Sequence, residues 1–255
     1  MRKIGVVTTS RADYSIYKPL LNEIIRSRGL KLFLYVSGTH LSAKHGMTIK
    51  DIQQDKFPIK EKIKIPMLSD TPLGVTQAMG KATIAFGHAF DRSQPDLLVV
   101  LGDRYEMHAV VAASVPFLIP VAHIGGGVIT EGSIDDSFRH SITKMSHLHF
   151  PETEIFAKRI VQLGEHPSRV KTVGAMGLDN LKDLKWLSWI QLKKKFHLTC
   201  EKNPIIVTVH PETKNVHKTI LLVDNLLNVL QRFESPIIFT GPNSDTHGRR
   251  IKIKC

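Results

Sequence analysis

Five stretches hold the side chains that could do chemistry, and most of them follow an apolar run. "TTSRADYS" places Ser10, Arg11 and Ser15 beyond the run from Ile4 to Thr9, at the mouth of a helix. Open N–H groups and the helix dipole favour an anion there, although the same residues also suit an N-cap with a surface arginine. "GDRYE" places Asp103 and Arg104 after "LLVVL", with Gly102 allowing a tight turn. An aspartate in that position suits a surface ion pair, or a general base whose proton affinity rises when a ligand buries it. "VHPET" places His210 at the end of another run, where a structural histidine and a ligand are both open readings. "TGPNSDTHG" places Asn243 and Asp245 in a turn. The longest stretch, "HIGGGVITEGSIDDSFR" from His123 to Arg139, sets three glycines ahead of the Asp135–Asp136 pair. It could be a phosphate cradle, a catalytic loop, or a catalytic loop that has lost parts.

These stretches need a frame that brings strand ends together. Short runs rich in Val, Ile and Leu read as strands: Ile4–Thr9, "KLFLYVSG", Asp96–Arg104, Ile119–Ile124, a short one near His149 and one more at Lys171–Gly174. Helical patterns alternate with them, from Tyr14 to Ser27, around Met107 to Ser114, and through "SFRHSITKM". This βαβα order predicts an α/β fold with a Rossmann-like parallel sheet covered on both faces. Ligands then bind beyond the carboxyl ends of the strands. The amphipathic, charged region between Gly174 and Pro204 reads as a boundary, giving an N-terminal domain over 1–177 and a second over 178–255. The second restarts with a strand in "PIIVTVHPET", a helix from Val216 to Phe233 and a strand in "PIIFTG". One such unit is well short of a domain of roughly 100–150 residues, so it reads as an incomplete Rossmann-like domain.

Composition narrows the partners. The formal net charge of +12 suits anionic ligands. The Lys and Arg are scattered and not interleaved with aromatics, which argues against nucleic acid. No stretch approaches the roughly 20 apolar residues of a membrane span, and the apolar run after the N-terminus is too short for a secretory signal. Cys200 and Cys255 form no CxxC pair and signal neither a metal knuckle nor a disulfide framework. The chain reads as cytoplasmic, with no membrane partner. His147 and His149 lack a third metal ligand in the pattern. Neither a GxGxxG fingerprint nor a GxxxxGK[ST] loop is present.

In their order and spacing, "SRADYS", "LGDRYE", "DDSFRHSITKMSHLHF", "VQLGEHPSRVKTVGAMG", "HPET" and "PNSDT" resemble the hydrolysing UDP-N-acetylglucosamine 2-epimerases and relatives acting on UDP-diacetylbacillosamine, of sialic- and legionaminic-acid synthesis. The resemblance runs from Met1 to Arg249. It implies a glycosyltransferase-B-like fold, with two Rossmann-like domains facing a nucleotide-sugar cleft, and a reaction needing neither NAD nor metal. A base removes the proton at C2, UDP leaves, and water adds to the glycal to give the free 2-epimer. By the same resemblance Asp103 and Asp135 are the acid/base carboxylates. Arg11, Ser15, Arg104, His210 and Asn243 are UDP-side contacts, and a homodimer is in keeping with the family.

The chain departs from that pattern at two side chains. The family shows "HI[HE]GGE" where this sequence has "HIGGGV", so Gly125 stands in place of a His or Glu and Val128 in place of a Glu. The family pattern also continues for about another hundred residues, a normal domain's worth, with a Ser-rich phosphate loop. Three readings follow: a hydrolysing UDP-sugar 2-epimerase, a non-catalytic remnant that binds nucleotide weakly or not at all, and a glycosyltransferase of the same fold. The last would need an acceptor feature, and none is seen.

Overall fold

The computed structural model describes residues 1–65, 71–182, 184–199, 201–210 and 212–241. In chain order the strands and α-helices are β1 (Arg2–Thr8), α1 (Arg11–Arg26), β2 (Leu30–Ser37), α2 (Ile49–Gln54), β3 (Ile59–Ile63), α3 (Pro72–Arg92), β4 (Leu97–Leu101), α4 (Tyr105–Ser114), β5 (Val121–Ile124), α5 (Asp135–Lys144), β6 (Leu148–Phe150), α6 (Glu154–Gln162), α7 (Trp189–Phe196), β7 (Ile205–Val207), α8 (Val216–Leu230) and β8 (Ile237–Phe239). They form two compact units. The first holds residues 1–65, 73–131 and 135–182 of those described. The second holds Thr71 and Pro72, Gly132–Ile134 and the described residues from 184 on.

The first unit is built on a six-stranded sheet in the order β3-β2-β1-β4-β5-β6, parallel throughout. Side chains alternate across it because the strand period is two. Val7, Phe33, Tyr35, Leu98 and Val100 bury on one face with Ala82, Phe86 and Phe90 of α3 and Val110 of α4. Ile4, Val6, Leu32, Leu34 and Val36 bury on the other with Tyr14, Tyr17, Leu21 and Ile24 of α1. Both faces are therefore apolar, and the strands read as near-continuous hydrophobic runs. The chain winds outward from β1 through β2 to β3, then returns to β4 and winds the other way to β6. The order reverses between β1 and β4, which pair in register Ile4↔Leu97 and Val6↔Val99. At such a switch point the loops leave in opposite directions and open a crevice at the carboxyl ends.

Two details differ from the sequence reading. Lys171–Gly174 is not a strand. Val170 makes a single bridge to His149, and the chain then turns at Gly174, whose φ is +79°. Strand β3, "IKEKI", fills the sheet edge instead. Its alternating charges suit a position with one neighbour, where charge discourages pairing with another chain.

The second unit carries a β–α–β element in which β7 and β8 pair in parallel, Ile205↔Ile237 through Val207↔Phe239. Helix α8 is N-capped by Asn215, whose side chain accepts from the Lys218 N–H. Val223 and Leu230 are buried, whereas Ile206 is 68% exposed and Leu221, Leu222, Val229 and Phe233 are about half exposed. Helix α7 begins at a capping box formed by Ser188 and Gln191.

Candidate functional site

Two polar clusters of the first unit flank the switch point. The first grows from the end of β1. Ser10 caps α1 and is paired with Asp13 in a capping box. The Asp13 carboxylate accepts from the N–H groups of Thr9 (2.9 Å) and Ser10 (3.2 Å), and from the hydroxyls of Thr9 (2.8 Å) and Thr8. The anion favoured at this helix start is thus the protein's own carboxylate. Thr8 also meets His40 Nε2 at 2.9 Å, while His40 Nδ1 meets Thr48 at 2.8 Å. Burial pushes the His40 imidazole below its ordinary value despite the nearby Asp13 charge. Arg11 and Ser15 lie on the exposed face of the same turn. The Ser15 hydroxyl donates back to the Arg11 carbonyl at 2.9 Å.

The second cluster grows from the end of β4. Gly102 turns the chain with φ at +79°, a value that L side chains rarely adopt. Its N–H donates to the Ile124 carbonyl at 2.9 Å. Asp103 then projects from the turn and receives Nη2 of Arg139, from α5. Arg139 is 4% exposed, and its guanidinium fork is filled. Nη1 donates to the Val128 carbonyl and to Asp136 Oδ1, both at 2.9 Å, and Nη2 donates to Thr130 Oγ1 at 3.0 Å. Asp136 Oδ1 also accepts from the Thr130 N–H at 3.0 Å. One buried cation therefore gathers two carboxylates and the backbone of the glycine loop. Burial lowers its pKa, with the Glu152 charge opposing, yet a guanidinium keeps its proton near neutrality.

Asp135 is the first residue of α5 and is half-buried, with Asp136 beside it in the first turn, where the dipole favours negative charge. Arg104 caps α4 and pairs with the buried Glu106, Nε to Oε2 at 3.2 Å. Asp103, Arg104 and Asp135 all belong to the first unit, as do Arg11 and Ser15. His210 belongs to the second unit and lies exposed three residues past β7. Asn243 and Asp245 lie outside the described residues. The sequence reading gives no role to Asp13 or Arg139 and names Asp136 only as the second member of the carboxylate pair. The spacing Ser10-x-x-Asp13 is a capping-box signature that could have exposed the first. Asp136 and Arg139 stand three apart, which puts them on one helix face. Nothing in the sequence ties Arg139 to Asp103, 36 residues away.

Gly125 and Val128, where the resemblance leads one to expect other side chains, lie beside this cluster. Gly125 has φ at +79° and only ordinary contacts around an added Cβ, the nearest being Gly102 N at 3.8 Å. A side chain there has room but meets backbone strain of about 1–2 kcal/mol. Val128 contributes its carbonyl to Arg139, so the loop is anchored through backbone whatever side chain stands there. Among the described residues no group of three His, Cys, Asp or Glu could hold a metal ion, and no helix is long and apolar enough to cross a membrane.

Comparison with known proteins agrees with this frame. The sequence model of the UDP-N-acetylglucosamine 2-epimerase family matches residues 22–255. The chain is 39% identical over 251 residues to the GDP/UDP-N,N'-diacetylbacillosamine 2-epimerase (hydrolyzing) of Campylobacter jejuni, covering 98% of this chain and 65% of that protein. It is 36% identical to the polysialic acid biosynthesis protein P7 of Escherichia coli, covering 100% of this chain and 66% of that protein. The chain thus spans about two thirds of the length of the relatives it matches. Its fold matches that of the S. aureus MnaA–UDP co-structure with a TM-score of 0.79 at 17% identity, over 100% of this chain and 66% of that one. The chain belongs to the UDP-N-acetylglucosamine 2-epimerase family.

Proposed function

We propose that the chain acts as a hydrolysing UDP-N-acetyl-sugar 2-epimerase, with Asp103 and Asp135 exchanging protons at C2 of the sugar. The observation that carries the reading is the Asp103–Arg139–Asp136 cluster at the carboxyl end of β4, beside the β1/β4 switch point. In the proposed step a carboxylate takes the C2 proton and a C1=C2 double bond forms. The C1–O bond breaks, and its electron pair leaves with UDP. Water then adds at C1, and a proton returns to C2 on the opposite face. The products are UDP and the free 2-epimer. Arg11, Ser15 and Arg104 are assigned to the UDP side of the first unit, and His210 and Asn243 to that of the second. The substrate class follows the relatives: N-acetylated sugars on UDP.

The residue types in the glycine loop favour a slow reaction. Gly125 supplies no proton-transferring group and Val128 no carboxylate, and one lost acid/base group commonly costs roughly 10²–10⁴-fold in rate. Incubation of the purified chain with UDP-N-acetylglucosamine or UDP-N,N'-diacetylbacillosamine tests this. Acceptor-independent release of UDP and 2-epimer in equal amounts, at a rate reduced by that factor relative to a full-length relative, supports the reading. Release no faster than in buffer refutes it and favours the non-catalytic remnant.

A further inference from the structure

The Gly102–Asp103 turn is gripped by a side chain that the steps above do not use. His123 stands on β5 and is fully buried. Its Nε2 lies 2.8 Å from the Gly102 carbonyl oxygen and its Nδ1 3.1 Å from Thr143 Oγ1. A carbonyl can only accept, so Nε2 carries the proton. In the neutral ring Nδ1 must then accept, so the Thr143 hydroxyl, which also donates to the Arg139 carbonyl at 3.0 Å, shares its proton between that carbonyl and the ring. Because the Gly102 N–H already donates to the Ile124 carbonyl at 2.9 Å, both polar backbone groups of Gly102 are fixed to β5. The glycine loop closes over the same pair. A Cβ at Gly126 would lie 3.0 Å from Thr143 Oγ1 and 3.1 Å from His123 Nδ1. Thr143 sits one helical turn after Arg139, whose guanidinium holds Asp103. The contacts close a ring: Gly102 to His123, His123 to Thr143, and back through α5 and Arg139 to Asp103.

We propose that His123, as the neutral Nε2–H tautomer, is a positioning residue: it fixes the Gly102 peptide and so aims the Asp103 carboxylate, while Thr143 holds the ring in that tautomer. The consequence for catalysis rests on the reading of Asp103 as a proton-transfer group. The geometry of the turn does not.

The test uses the full chain labelled with ¹⁵N, together with His123→Gln, which keeps a donor toward Gly102, and His123→Phe, which removes it. Long-range imidazole spectra of the unmodified chain should show His123 as a single Nε2–H tautomer. The Gly102 amide should exchange with solvent about tenfold faster in the Phe variant, the equivalent of one lost hydrogen bond. The Gln variant should return to within about threefold of the unmodified chain. In turnover, kcat should fall about tenfold in the Phe variant with KM unchanged, and recover with Gln. An Nδ1–H or cationic His123, or Gly102 exchange unaltered in the Phe variant, overturns the proposal. If the Phe variant does not fold, the tautomer in the unmodified chain and exchange in the Gln variant still decide it. An unmodified chain without turnover refutes the catalytic reading alone.

Discussion

Replacing Arg139 with Met is the sharpest test of the architecture around Asp103. The Arg139 side chain is 5% exposed and holds Asp103 and Asp136, whose side chains are 26% and 23% exposed. Removing one partner of a fully buried ion pair costs about 3–5 kcal/mol, because the remaining charge is left unpaired. Here the two carboxylates can partly rehydrate through their exposed quarter, and Thr130 is exposed, which places the loss near the lower end at about 3 kcal/mol. Lys at 139 keeps a charge but cannot fill a four-way fork, so R139K should lose about 1–2 kcal/mol. The aromatic residues make the assay selective. Tyr14, Tyr17, Tyr35 and Tyr105 all lie in the first unit, whereas Trp186 and Trp189 lie in the second. Urea unfolding followed by tyrosine absorbance therefore reports the first unit separately from tryptophan emission. With a slope of about 2 kcal/mol per molar for a unit of this size, R139M should lower the tyrosine midpoint by about 1.5 M urea. A shift below about 0.3 M would refute the claim that Arg139 carries the loop.

Acid should weaken the first unit through His123. Burial holds its folded pKa at about 4, below the ordinary 6.5, with the neighbouring charges of His149 and His140 acting in the same direction and the Gly102 carbonyl opposing. Between those values the unfolded chain binds a proton that the folded chain refuses, so stability is complete above pH 6.5 and declines by roughly 3 kcal/mol as pH falls to 4. His123→Gln should flatten that part of the pH–stability curve, and an unchanged slope would contradict the assignment. The Tyr17 hydroxyl is fully buried with no partner among the described residues, so Tyr17→Phe should leave thermal stability unchanged or raise it by up to about 1 kcal/mol; a loss above that would mean a hydrogen bond exists there. Gly125→Ala should cost about 1–2 kcal/mol in urea unfolding because of the left-handed backbone, without a steric clash. A neutral outcome would show that the loop adjusts.

The parts of this molecule that were legible in the sequence are those governed by local pattern. Runs such as Leu97–Leu101 and Leu30–Ser37 are apolar on both faces, so they announce a parallel sheet and place Asp103 and Ser10 at strand ends. The family resemblance proposes a role for His210, which pattern alone leaves open. What was not legible depends on tertiary approach. Asp13 takes the anion position at the start of α1 that the sequence pattern leaves open for a ligand. Arg139 reaches Asp103 because α5 packs against α4, the helix that follows β4 and the Asp103 turn. His123, within a motif read for its glycines, becomes informative once β5 lies beside β4 and brings its ring to the Gly102 carbonyl. The converse holds at Lys171–Gly174, a short β-like run that forms no strand, with a single bridge between Val170 and His149 just before it.

The most direct measurement of the central claim is the reaction run in D₂O with UDP-N-acetylglucosamine, followed by mass spectrometry and NMR of the released sugar. Abstraction at C2 with return on the other face predicts one deuterium at C2 of N-acetylmannosamine, formed slowly and lost in Asp103→Asn. Released sugar that is unlabelled and unepimerised would show simple cleavage of the sugar–phosphate bond. That outcome, or the absence of released sugar, would contradict the account.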